Sequence, residues 1–441
     1  MSKTSLPLQS TALQRYLQRH IEPALPPPPG QAQWSNALVI PAYDEPVQLL
    51  AGRDRLHAPG GRVLVLLVLN RPANRRDASP NQPLRHAVQA LPPLLANPPL
   101  YRLGTDADLL LYDLELIRGP TPEAQGVGLA RKVGCDIALA WIAAGRVASD
   151  WIYNTDADAT LPADYFRRAA DSGATTVAAT YPFHHHAGGA EAVDRATALY
   201  ELRLHHYVLG LDYAGSPYAH HTLGSCLAVR ALPYAQVRGF PRRSGAEDFY
   251  LLNKVAKLGP VARLGGACIG LRSRPSHRVP FGTGPAVQEI AASAQPAALP
   301  LFDHPACFEA LRLLLMAAPE LRRGAAPEIE ELLCRQGLEH GLARRAAASL
   351  ESLGWADGLD HCRRHGRSEA QFLRHFHQWF DGFRTLKFIH GLREGGWEDQ
   401  SLDATRGLAP RLWPTAPAET GVEAARTAVA RHWGWIRSAG L

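Results

Sequence analysis

Asp150-Trp-Ile-Tyr-Asn-Thr-Asp156-Ala-Asp158-Ala-Thr-Leu-Pro162 sets an apolar strand directly before two carboxylates one residue apart. In an extended chain the side chains at i and i+2 point the same way, so Asp156 and Asp158 can face one cleft. Two carboxylates that close repel unless a positive charge joins them. A hard divalent cation bound through oxygen, Mg²⁺ or Mn²⁺, meets that need and keeps positions open for water and phosphate. The plainer reading is an acidic turn after a strand, since Asp is a common turn residue. The surrounding sequence has to decide between them.

Upstream, Ala37-Leu-Val-Ile-Pro41 reads as a buried strand after the Pro-rich break at 23–30, and a second apolar run follows at 62–70. A polar, Pro-rich excursion with one helical piece near 84–91 separates it from a third strand at 109–114. Helical spacing after Gly126 leads into the strand 151–153. Downstream come a strand at 175–181, a long helix at 190–209, a strand at 223–229, a helix opening near Glu247 and a strand at 261–270. Alternating strands and helices predict an α/β fold, with a mostly parallel, Rossmann-like sheet and helices on both faces. In such sheets ligands bind beyond the carboxyl ends of the strands, where the Asp156 to Asp158 turn falls. Past the Ala/Pro-rich stretch 288–300 the pattern is all helical, with segments at 306–316, 329–336 and 370–394. The expected division is an N-terminal helical extension at 1–35, the α/β domain at 36–290 and a C-terminal helical domain at 291–441.

At 441 residues the chain can form two or three domains with sizeable cores. Its net charge of +6 is a small excess of 47 basic over 41 acidic residues without clustering, which argues against a nucleic-acid partner. Six scattered cysteines without a Cys-x-x-Cys pair read as reduced thiols in a cytoplasmic protein. The N-terminal stretch lacks the apolar core of a signal peptide and carries the amphipathic Leu13-Gln-Arg-Tyr-Leu-Gln-Arg-His20. The longest apolar runs, such as 63–69, are too short for a transmembrane segment, which leaves peripheral contact as the form any membrane association would take.

Four segments in order carry the chemistry: Val39-Ile-Pro-Ala-Tyr-Asp-Glu45, 126–136, Asn154-Thr-Asp-Ala-Asp158 and Gly245-Ala-Glu-Asp-Phe-Tyr-Leu-Leu252. Their order and spacing resemble family-2 glycosyltransferases of the GT-A fold over roughly residues 37–278. The resemblance implies a metal-dependent enzyme that moves a sugar from a nucleotide-diphosphate donor to an acceptor hydroxyl on a glycan, a lipid-linked molecule or a small molecule. It places the nucleotide-sugar against Pro41, Ala42, Tyr43 and Glu45, where an aromatic ring can stack on a base and a carboxylate can bond a ribose. Tyr43 packing its own loop is the structural alternative. Asn70 stands where the family usually has an Asp that contacts the base; an amide offers a donor as well as acceptors. Gly126-Val-Gly-Leu-Ala-Arg131-Lys132 matches the family's Gly-x-x-x-Ala-Arg-Asn, with Lys132 in place of Asn. There Arg131 and Lys132 would neutralise the diphosphate, unless they are a solvated basic pair.

The resemblance also gives Asp158 the metal, Mn²⁺ or Mg²⁺, with Asp156 against the donor ribose and metal-bound water as a further metal residue, and Ala157 against the nucleotide-sugar. Glu247 and Asp248 match the acidic pair of inverting members, with Asp248 as general base; both could instead only complement a helix dipole. Of the 19 histidines, His277 matches the place where several members supply a third metal ligand, and Arg274 and Arg278 beside it could hold phosphate oxygens. A metal-free loop histidine is the alternative there. His184, His185 and His186 read as an acceptor-side loop, because adjacent side chains diverge in extended chain. His205 and His206 read as packing residues. Two other readings compete. A nucleotidyltransferase would carry a Gly-rich basic loop after the first strand, where Pro41-Ala-Tyr-Asp-Glu-Pro46 stands. A non-catalytic binding protein on the same sheet would account for Asn70 and Lys132 but has no use for four acidic residues kept together.

Overall fold

The apolar runs of the sequence become the inner strands of a nine-stranded sheet in the computed structural model, which describes residues 10–30, 32–52, 56–274, 282–322, 328–408, 411–414 and 421–437. The strands are β1 Asn36–Ala42, β2 Val63–Leu69, β3 Pro93–Leu95, β4 Leu100–Arg102, β5 Ala107–Asp113, β6 Trp151–Asn154, β7 Ala178–Thr180, β8 Phe183–His186, β9 Leu227–Arg230, β10 Val261–Arg263, β11 Gly266–Ala267, β12 Ile269–Arg272 and β13 Trp435–Ile436. The large sheet has the order β10-β7-β9-β6-β1-β2-β5-β4-β3. Strands β6, β1, β2 and β5 pair in parallel, while β9 and β4 run against their neighbours. Every residue of β1, β2 and β5 is buried, as expected of central strands covered on both faces. Alternation along β6 shows the two layers. Ile152 joins Val133 and Ile137 of the helix Gly126–Ala143 in one core, whereas the Tyr153 ring meets Phe166 of the helix Tyr165–Ala170.

The chain forms two compact units. The sheet unit comprises residues 1–188, 222–285 and 435–441, and the helical unit residues 189–221 and 286–434. The helix Glu191–Tyr213 therefore groups with the later helices, not with the sheet that precedes and follows it in sequence. The reason is its apolar stripe: Leu199, Leu202 and Leu209 share a core with Phe308, Leu311, Phe372 and Phe376.

Two expected elements are broken. The strand predicted at 261–270 is β10, β11 and β12, because Gly266 turns the chain at φ +86° and each piece takes a different partner. The helix predicted at 370–394 is two, Glu369–Trp379 and Gly382–Arg393, since the Asp381 carboxylate accepts the Arg384 N–H and starts the second. The excursion between β2 and β5 holds the expected helix, Gln82–Gln89, and the two antiparallel strands β3 and β4 that extend the sheet. All six cysteines are free thiols, and all but Cys334 are buried. Among the described residues no helix is long and apolar enough to cross a membrane.

Candidate functional site

A cleft of about 690 Å³ lies at the carboxyl ends of β1, β2 and β6. β1 sits between β2 and β6, so the loops after β1 and β6 part here, which is where open parallel sheets bind their ligands. Pro41, Ala42, Tyr43 and Glu45 line it from the end of β1, Asn70 and Arg75 from beyond β2, and Asp156, Ala157 and Asp158 from beyond β6. Arg131, Glu247, Ser244, His185, Arg272 and Arg274 complete the walls used below.

Local structure fixes these side chains. The β1–β6 pairing continues as Thr155 N–H donates to the Val39 carbonyl. Past the acidic turn, Thr160 and Gly270 exchange backbone hydrogen bonds of 2.8 and 2.9 Å. That bridge sets β12, with Arg272 and Arg274 beyond it, beside Asp158. Asn81, fully buried, joins the loops after β1 and β2: its amide accepts from Asp44 N–H at 3.1 Å and donates to the Asn70 carbonyl at 3.0 Å. Asp44 (φ +53°) and Ala246 (φ +55°) are left-handed without being glycine, and each immediately precedes a cleft carboxylate, Glu45 or Glu247. Such conformations cost roughly 1–2 kcal/mol and recur at functional sites.

At the start of the helix Gly126–Ala143, glycine is needed for contact. Gly126 has φ +40° and its Cβ would come 2.6 Å from Ser244 Cα; at Gly128 a Cβ would come 2.5 Å from the Arg243 carbonyl oxygen. The Gly128 N–H already donates to that carbonyl at 2.9 Å. The loop 241–246 is thereby held against the helix start.

Arg131 and Lys132, adjacent in sequence, separate. Arg131 reaches the cleft wall, with Nε 2.9 Å from Glu247 Oε1, Nη2 2.5 Å from Asp156 Oδ1 and Nη1 2.9 Å from the Gly224 carbonyl. Lys132 does not line the cleft, and the expected contact with a diphosphate is corrected. Its ammonium is buried, donating to Tyr16 Oη at 2.6 Å and Asp136 Oδ2 at 3.0 Å. Tyr16 and Tyr234 also donate to Asp136, so the lysine neutralises a carboxylate that fastens the N-terminal helix Thr11–Arg19 to the sheet unit. Burial raises the Asp136 carboxyl and the Lys132 charge opposes it.

The acidic residues divide in the same way. Glu247 lines the cleft and is pinned by Arg131, whereas Asp248 is not among the lining residues. Asp248 is partly exposed and accepts its neighbour Phe249's N–H at 2.7 Å. Desolvation and, next, the Glu247 charge push its carboxyl up to about 7, against the pull of Arg131. Asp158 faces the cleft and also a second cavity of about 280 Å³ behind it. Its Oδ2 is 2.7 Å from Arg274 Nε, and Arg274 Nη2 donates to Glu45 Oε1 at 3.0 Å.

This donor set has the chemistry a hard divalent cation requires: two carboxylates on one turn, each held at present by the cation of an arginine. Asp156 and Asp158 would hold Mn²⁺ or Mg²⁺ there. Among the described residues no group of three His, Cys, Asp or Glu is placed to hold a metal ion. His277, expected as a third ligand, lies outside the described residues, as does Arg278. Of the histidine run, His185 lines the cleft from β8 while the rings of His184 and His186 meet on its other side, 4.9 Å apart, as the alternation of a strand dictates. His206 is a packing residue as expected, its ring stacked 5.3 Å from that of Trp413.

Sequence reasoning missed Asn81, whose work is between two backbones, and Arg75 and Arg272, which stand outside every motif. No family model and no curated protein matches the chain. Among solved structures it is similar to the mannosyltransferase PcManGT from Pyrobaculum calidifontis in complex with GDP-Man and Mn²⁺, at 16% identity over 88% of this chain and 93% of that one, with a TM-score of 0.35. A likeness of that degree carries no inference about activity.

Proposed function

We propose that the chain is a metal-dependent glycosyltransferase of the GT-A type, taking a sugar from a nucleotide-diphosphate donor to an acceptor hydroxyl. The observation that carries this is the meeting of Asp156 and Asp158 with the end of β1 in one cleft that Glu247 also lines, joined to Asp156 through Arg131. In this reading Tyr43, Glu45 and Asn70 receive the nucleoside, with Tyr43 offering a ring face and Asn81 holding the two loops in register. Mn²⁺ or Mg²⁺ would supply charge to stabilise the departing nucleoside diphosphate. Arg272, Arg274 and Arg75 add guanidinium groups to the same walls, suited to phosphate oxygens.

Proton transfer falls to the acidic pair. Glu247 is paired with the buried Arg131 guanidinium at 2.9 Å, which suits it to positioning. Asp248, raised to about 7 by desolvation and the neighbouring Glu247 charge, suits a general base that accepts the acceptor's proton near neutrality. In this reading the acceptor hydroxyl gives its proton to Asp248 as it attacks the anomeric carbon, and the sugar inverts.

The test is a panel of sugar nucleotides, each with Mn²⁺ or Mg²⁺, read by thermal stabilisation and by release of nucleoside diphosphate. One donor is expected to stabilise the protein only with metal, through mass action on the folded state. Asp158→Asn should abolish that shift. The proposal fails if no sugar nucleotide stabilises or is turned over with either metal, or if Asp158→Asn keeps both responses.

A further inference from the structure

The two carboxylates after β6 are neutralised by arginines of different kinds. Arg131, which holds Asp156, is 4% exposed and also bonded to Glu247 and to a backbone carbonyl, so it is a fixed part of the wall. Arg274, which holds Asp158, is 29% exposed and, among the described residues, pairs with two side chains, Glu45 at one end of its guanidinium and Asp158 at the other. An ion pair open to water on that scale is weak, whereas a divalent cation shared with a diphosphate attracts a carboxylate more strongly. A divalent cation on Asp158 would repel the guanidinium that now lies 2.7 Å from its Oδ2, so the two compete for this carboxylate. The freed guanidinium, still held by Glu45, has the planar donor fork that phosphate oxygens accept.

Resting on the glycosyltransferase reading of this cleft, we propose that Arg274 is an exchangeable counter-ion: it holds Asp158 while the cleft is without donor, yields that carboxylate to the divalent cation, and passes to the diphosphate of the incoming nucleotide. Arg274 then serves both as a competitor of free metal and as a ligand of the metal–diphosphate pair. The cleft would thus favour cation and diphosphate arriving together over either alone.

The experiment uses the full chain, titrated calorimetrically with Mn²⁺ alone and with Mn²⁺–pyrophosphate, in the wild type, Arg274→Ala and Arg274→Lys. Removing a competitor worth a partly exposed ion pair should tighten free Mn²⁺ by roughly threefold to fivefold in Arg274→Ala. Losing a charge-assisted phosphate contact should weaken Mn²⁺–pyrophosphate by about tenfold. Arg274→Lys should fall between, since an ammonium keeps the charge but not the fork. Opposite signs for the two probes are the expected signature. Equal affinities in wild type and Arg274→Ala, or losses of both probes together as a mere scaffold would give, overturn the exchange. The two readings fail separately: the ratio of variant to wild type reports on Arg274, whereas absence of Mn²⁺–pyrophosphate binding in the wild type removes the metal reading as well. The pair is partly exposed and so contributes little to folding; circular dichroism of each variant checks that it folds.

Discussion

Arg131→Met keeps an unbranched stem and removes the guanidinium that joins the two acidic sides of the cleft. Its cost can be worked from the partners. The Glu247 carboxylate is 5% exposed and would lose its counter-ion in place. Leaving one charge of a buried pair uncompensated costs about 3–5 kcal/mol. Asp156, 42% exposed, is hydrated and adds little. The Gly224 carbonyl loses its donor, worth about 1 kcal/mol. Arg131→Met should therefore lower stability by about 4–6 kcal/mol in urea unfolding followed by fluorescence and circular dichroism. Adding Glu247→Gln removes the stranded charge, so the double variant should be more stable than Arg131→Met by about 2 kcal/mol or more. A loss below about 1 kcal/mol in the single variant, or a double variant no better than the single, would refute the clamp.

Other consequences are open to measurement. Lys132→Met should destabilise the fold by about 3 kcal/mol, as Asp136 loses its cation, yet leave the affinity for donor and Mn²⁺ unchanged in calorimetry; weaker donor binding would return Lys132 to the cleft. Asn81→Ala should cost about 2 kcal/mol in urea unfolding for two lost hydrogen bonds and weaken nucleotide binding through loops that drift apart. Ala246→Gly should stabilise by about 1 kcal/mol, since glycine takes positive φ freely, and a destabilised variant would count against strain there. Asp248 binds its proton more tightly folded than unfolded, so its contribution to stability is full below about pH 4 and is lost as pH rises through about 7. The stability of the wild type relative to Asp248→Asn should therefore fall between those limits, while activity that needs the ionised base rises through the same range; a pH-independent difference would sink the shift.

The inner sheet was legible because parallel strands buried on both faces are written as unbroken apolar runs, as in Val63–Leu69. The acidic turn was legible because its spacing of two survives the end of a strand. Lys132 was misplaced because a motif matches a line of residues, whereas successive positions on a helix differ by about 100° and only one of an adjacent pair can face the cleft. Asp248 and Glu247 divide for the same reason. The break at Gly266 and the cap at Asp381 both had local signals, a Gly-Gly pair and an Asp-Gly pair, hidden inside otherwise periodic segments. Asn81 had none, since a polar residue in a Pro-rich excursion looks like any loop asparagine until the two backbones it bridges are known.

Strand β13 pairs Trp435 and Ile436 with Gly266 and Ala267, and Cys268 N–H donates to the Ile436 carbonyl at 2.9 Å. The edge beside the cleft-bearing strand β12 is thus made by residues translated more than a hundred positions after it. A ribosome would deliver the acidic turn, the arginine clamp and the acidic pair long before the strand that completes the β11 edge. Stopping the chain after residue 290 would leave the β11 edge without its partner and the helix Glu191–Tyr213 without the core it shares with the later helices.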